Sequence, residues 1–104
     1  MYDLLIRGGT VVDGTGTKPR SADVAISAGK IVEVGTVIGE ASEIIDATGQ
    51  FVTPGFVDIH THYDAQATWD PHLFPTGWHG VTTTVFGNCG VGFAPAKPAD
   101  RDWL

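Results

Sequence analysis

Over the first fifty residues, apolar positions come in short runs separated by turn residues. No stretch there keeps a 3.6-residue apolar period long enough for an amphipathic helix. This half therefore reads as a small β unit. Tyr2 to Ile6 is a short apolar run, Gly8-Gly9 offers turn chemistry, and Thr10-Val11-Val12 reads as the returning strand of a hairpin. Asp13 to Pro19, rich in Gly and Thr, is a loop. A second hairpin runs from Asp23-Val24-Ala25-Ile26 through Ala28-Gly29 into Lys30-Ile31-Val32-Glu33-Val34. Glu43 to Ala47 is a further short strand, closed by Thr48-Gly49.

The pattern changes at Pro54-Gly55. The run from Phe51 to His62 reads as a buried strand that ends in two histidines one residue apart. Alternation along a strand puts Phe56, Asp58, His60 and His62 on one face and Val57, Ile59 and Thr61 on the other. An irregular stretch from Asp64 to Gly77 follows, with Asp70-Pro71 and Pro75 in it, and His79 before Gly80 fits a helix end. Val81 to Phe86 is a β-branched strand, and Gly87-Asn88-Cys89-Gly90 is a tight loop after it. At the C-terminus, Asp100-Arg101-Asp102-Trp103-Leu104 places acidic residues where a helix's first turn wants them, then stops before one turn can close. Such an ending is expected of a chain cut from a longer one.

Composition narrows the function classes. At 104 residues the chain is one domain or part of one, and its 42% hydrophobic content fits a globular protein. A net charge of −6 argues against nucleic-acid or anionic-membrane partners. No segment approaches the roughly 20 apolar residues of a transmembrane helix. A single cysteine cannot form an internal disulfide, which favours a reducing, cytoplasmic setting. That cysteine is then either core filler or a ligand.

Two imidazoles on one face at a strand end, anchored by apolar residues behind them, can both reach one metal ion, so His60 and His62 are candidate metal ligands. The competing role is a pair of hydrogen-bonded histidines in a polar core. Ligand type alone leaves Zn, Fe, Ni and Co open. Cys89 is the third candidate. Gly87 and Gly90 let the backbone bend tightly just past a strand, which would aim the thiol at the strand ends. If the His60 and Cys89 strands are parallel neighbours, both sites lie on the carboxyl-terminal edge where α/β barrels keep their active sites. Asp58 could orient a ligating histidine or make a hydrogen bond at the barrel floor. Tyr63 and Asp64 sit just past the histidines and could approach substrate, but read first as loop residues, Asn88 reads as a turn residue, and His72 and His79 have no ligand-like spacing.

Taken together, Asp3 to Gly14, Ile45-Asp46-Ala47-Thr48-Gly49 and Thr53-Pro54-Gly55-Phe56-Val57-Asp58-Ile59-His60-Thr61-His62 resemble the amidohydrolase superfamily. Most members bridge their metals with a carboxylated lysine. The stretch Trp78 to Gly90 instead resembles the D-aminoacylase branch, the N-acyl-D-amino-acid deacylases, in which cysteine takes that place. The resemblance implies metals on a (β/α)8 barrel beside a small β-sandwich, with one ion activating water to hydrolyse an N-acyl amide bond. It makes His60 and His62 the first-strand ligands, Cys89 the bridging ligand, and zinc, one or two ions, the cofactor.

A full barrel needs about 250 residues. The expected fold is therefore mainly β with some α/β: a β-sandwich portion over 1–50, then the first one or two barrel strands over 51–104. The resemblance implies later histidine ligands and a catalytic aspartate that have no counterpart here, so the isolated chain is expected to be inactive. A cyclic amidase of the dihydropyrimidinase or dihydroorotase kind is the alternative enzyme, against which Cys89 speaks. A non-catalytic β module is the alternative of another class. The expected partners are a small N-acyl-D-amino acid for the complete enzyme and a second copy of the chain. Self-association is expected through strand edges at Val24–Ile26, Val57–Ile59 and Val81–Phe86.

Overall fold

The first strand is longer than its sequence suggests. In the computed structural model, which describes residues 1–90, 92, 96–100 and 102, β1 runs unbroken from Tyr2 to Val11. The hairpin expected across Gly8-Gly9 does not form. The two glycines serve a β-bulge instead. β1 pairs antiparallel with β2 (Arg20–Ser27) in one register from Leu4 to Ile6 and in a shifted one from Gly9 to Val11. Gly8 takes a φ of +73° there, and its N–H donates to the Asp23 carboxylate at 2.8 Å. One inserted residue reverses which face every later side chain occupies. Val11 thereby joins Ala22 and Val24 in a buried cluster, packed by Ile6, Ile26 and Val52, while Leu5 and Ala25 point the other way.

β2 and β3 (Lys30–Gly35) form the expected antiparallel hairpin around Ala28-Gly29. β4 (Ala41–Asp46) then pairs parallel with the first part of β1, and β5 (Phe51–Val52) pairs parallel with its last part. The order β3-β2-β1-β4 obliges the β3–β4 connection to cross one face of the sheet. That crossing lays Val37 onto Leu5 and Ala25, with Tyr2 and Ala41 alongside. Between β4 and β5 the chain turns at Ala47–Gln50, directly beside the bulge. A Cβ on Gly9 would meet Val52 at 2.4 Å and Ala47 at 3.1 Å, so close backbone approach requires glycine there. Val24–Ile26 is flanked by β1 and β3. It is not the open edge that the sequence reading expected, because the sheet order puts β2 inside.

The chain divides into two units, Met1–Pro54 and Gly55–Leu104. In the second, β6 (Phe56–Asp58) and β7 (Val81–Thr84) pair in parallel. A short helix, α1 (Tyr63–Gln66), follows β6. A 3₁₀ turn at Thr76–His79, ended by Gly80 in the left-handed region, leads into β7. The His60 strand was expected to be buried, yet Phe56, Val57 and Ile59 are more than half exposed. Parallel pairs bury such runs only when both faces are covered, and these apolar side chains stand open. Near the C-terminus, Pro98–Asp100 forms a 3₁₀ turn. The helix start expected over 100–104 falls largely on Arg101, Trp103 and Leu104, which lie outside the described residues.

Candidate metal centre

β6 is short because ladder pairing with β7 ends at Asp58. The chain then bends through Ile59 and His60, and His62 becomes the residue that enters α1. The histidines therefore leave the strand, and strict alternation no longer governs where they point. Their rings nevertheless come together, with centroids 6.3 Å apart and planes inclined by 17°. Across the parallel ladder, β7 delivers the loop Gly87–Gly90 to the same end. Gly87 and Gly90 take φ values of +87° and +78°, so the loop folds back within four residues, as the glycine spacing implied. Cys89, half-buried and free, is brought to the histidines. One imidazole nitrogen from each of His60 and His62 and the Cys89 Sγ all lie within 4.8 Å of one another.

Side chains next to these three tie the two loops together. The Asn88 amide donates to the Ile59 carbonyl at 2.8 Å, and the Gly87 N–H donates to the Asp64 carboxylate at 3.0 Å. The Thr61 hydroxyl donates to the Val85 carbonyl at 2.9 Å, and Thr61 is buried. The Asp58 carboxylate accepts from the His60 N–H at 3.1 Å, so it fixes that residue's backbone rather than its imidazole. Asn88 and Asp64 thus do more than the sequence reading allowed. The available signal was their position, one residue before Cys89 and two after His62.

His72 and His79 take no part in the cluster. His72 instead lies against Phe74, and its backbone N–H donates to Asp70. The Asp70 carboxyl is held below the usual carboxylate range, chiefly by the Gln66 amide and against partial desolvation. Backbone N–H groups of His72, Phe74 and Leu73 add to the effect. Asp70 therefore organises the loop after α1 as an anion bound by its own chain.

The donor set suits a metal ion. Two imidazoles and a thiolate are a zinc-type ligand combination, and in a tetrahedral site with bonds of about 2.0–2.3 Å two ligand atoms sit about 3.3–3.7 Å apart. The present spread, up to 4.8 Å, would close by roughly 1 Å on loading.

Residues 43–104 match the model of the Amidohydrolase family. The chain belongs to that family. This amidohydrolase chain is 39% identical over 100 residues to the D-aminoacylase of Alcaligenes xylosoxydans xylosoxydans, covering 95% of its own length and 21% of that protein. It superposes on a crystal structure of D-aminoacylase with a TM-score of 0.84 and 40% identity, over 100% of this chain and 23% of that one. It also superposes on N-acyl-D-glutamate deacylase from Bordetella bronchiseptica, complexed with zinc and a phosphonate inhibitor, with a TM-score of 0.82 and 42% identity. That match covers 91% of this chain and 20% of that one. The described fold is thus that of the matched part of D-aminoacylase. The chain spans between 17% and 21% of the length of the first curated relatives it matches.

Proposed function

We infer that these residues form part of a metal-dependent hydrolase that cleaves the amide bond of N-acyl-D-amino acids, with His60, His62 and Cys89 as metal ligands. The convergence of their three donor atoms carries this reading. The deacylases that resemble the chain support the substrate class, and the zinc complex of one of them supports zinc, as one or two ions. When bound, zinc would lower the pKa of a water molecule and polarise the scissile carbonyl. The chain's own residues supply the seat. With an ion bound, His60 and His62 would offer imidazole nitrogens and Cys89 its sulfur, to bind or bridge, while the Asp58 carboxylate pins the backbone that carries His60.

On the same reading the chain is the opening of such an enzyme, with 1–50 in a β-sandwich and 51–104 starting a (β/α)8 barrel. The proposed setting is cytoplasmic, a compartment that would keep a ligand thiol such as Cys89 reduced. The isolated 104 residues are expected to be inactive, because the resemblance implies further histidine ligands and a catalytic aspartate that have no counterpart among them. Exposed apolar residues on β6 and after β7 (Phe56, Val57, Val85 and Phe86) support self-association into a homo-oligomer, which sedimentation equilibrium at micromolar concentration tests. A monomer there would remove that part of the reading.

The test of function is a chimaera in which this chain replaces the matching segment of D-aminoacylase. Hydrolysis of N-acyl-D-amino acids is expected, with metal content and turnover both lost in Cys89→Ala. A folded chimaera whose metal content is unchanged by Cys89→Ala would refute the ligand assignment.

A further inference from the structure

The three donors sit on two separate loops, and nothing in the ladder itself fixes the distance between them. Ladder pairing ends at Asp58 and Thr84, whereas the donors lie at 60, 62 and 89. The backbone beyond the ladder is fastened by one further backbone bond, from the Val85 N–H to the Asp58 carbonyl at 2.8 Å. From there outward the connections are made by side chains. Asn88 spans from the Cys89 loop to the Ile59 carbonyl, immediately before His60. Asp64 spans in the opposite sense, from the helix that His62 opens to the Gly87 N–H. The Cys89 loop also wraps this carboxylate closely. An added Cβ at Gly87 or Gly92 would lie 3.5 and 3.6 Å from Asp64 Oδ1. Each bond thus joins a position within two residues of one donor with a position within two residues of the other.

We propose that Asn88 and Asp64 are positioning residues that set the separation between Cys89 and the His60–His62 pair. The inference rests on the ligand assignment made above. Asn88 acts as an amide donor and Asp64 as an oxygen acceptor, and neither binds the ion. This chemistry predicts a distinctive substitution pattern. Asn88→Ala and Asn88→Asp both lose the donor, the second at unchanged size. Asp64→Ala loses the acceptor, whereas Asp64→Asn keeps an oxygen that can accept from Gly87. Removing groups that orient metal ligands costs about 10- to 100-fold in metal affinity.

The test is titration of the full 104-residue chain with Co²⁺, following the thiolate-to-metal charge-transfer absorption. Asp13→Asn, in the first unit, serves as a control. Amide hydrogen exchange over β6 and β7 reports on folding in every variant. Wild type and Asp13→Asn should give a saturable band. Asn88→Ala, Asn88→Asp and Asp64→Ala should bind at least about tenfold more weakly, with the band reduced at saturation, while Asp64→Asn stays within about threefold of wild type. A wild-type band together with unaltered affinity and intensity in Asn88→Ala and Asp64→Ala overturns the inference alone. So does an Asp64→Asn variant as weak as Asp64→Ala, which would mark the carboxylate as a ligand. A wild-type chain with no thiolate band overturns the ligand assignment and this inference with it. If one alanine variant loses exchange protection, the other residue's pair of variants decides.

Discussion

The two units of this chain are held together by different means. In Met1–Pro54, five strands surround buried apolar side chains, with Leu5 and Ala25 fully enclosed. In Gly55–Leu104, Thr61 is the one buried residue among those described, and Phe56, Val57, Ile59, Trp69 and Trp78 are all more than half exposed. Here the connections are polar: Asn88 to Ile59, Asp64 to Gly87, Thr61 to Val85, and the bonds gathered on Asp70. Hydrophobic burial scales with area and is indifferent to direction, whereas hydrogen bonds fix distances. Within these residues, the first unit is held by burial, whereas the second, which carries the donor atoms, is tied by hydrogen bonds that fix where those atoms sit.

The sharpest way to break this contrast is to truncate an apolar side chain in each unit. Leu5→Ala should cost about 2–5 kcal/mol, because a fully enclosed leucine leaves a cavity. Ile59→Ala, at a site 69% exposed, should change stability by less than about 0.5 kcal/mol. Denaturant unfolding of the two variants checks both values. Equal losses would mean that the second unit has a core of its own.

Gly9→Ala comes next. Its Cβ would strike Val52, so the bulge and β5 must shift, at a cost of about 1–3 kcal/mol, measured as a lowered denaturation midpoint. This residue also shows where sequence reading went astray. Gly-Gly is common to turns and bulges, and the choice between them is made by partners distant in sequence, here Ala47 and Val52. The β2–β3 hairpin was legible because its turn and both its strands are contiguous. The histidine pair and the glycine-flanked cysteine were legible for a similar reason, since their chemistry is carried by residue type. The strand end at Asp58 was not, because apolar residues continue past it and only pairing with β7 decides where a strand stops. The roles of Asn88 and Asp64 stayed hidden because both residue types are at home in any turn.

Cys89→Ala should change stability by less than about 1 kcal/mol, since the thiol is only half-buried, yet it should lower zinc affinity by at least about a hundredfold. Calorimetric titration with zinc beside thermal unfolding separates the two effects. A large loss of stability with intact zinc binding would make Cys89 a packing residue.

The smallest expected effect lies in the first unit's surface loop. The Asp13 carboxyl is held well below its ordinary range, first by the Thr15 hydroxyl and then by the Arg20 guanidinium, which lies 2.8 Å away. A lowered carboxyl pKa stabilises the fold fully above the ordinary value of about 4, and the contribution is lost as pH falls through the lowered one. Asp13→Asn should therefore be slightly less stable than wild type at pH 7, and the difference should shrink steadily under acid. The pair is solvent-exposed, so added salt should narrow the gap as well. A difference that grows on acidification would reverse the sign of this argument.

The central claim, that His60, His62 and Cys89 hold one metal together, is tested most directly by X-ray absorption spectroscopy of the zinc-loaded chain. The account predicts a sulfur scatterer at about 2.3 Å accompanied by imidazole nitrogens at about 2.0–2.1 Å. A coordination sphere of nitrogen and oxygen alone would contradict it.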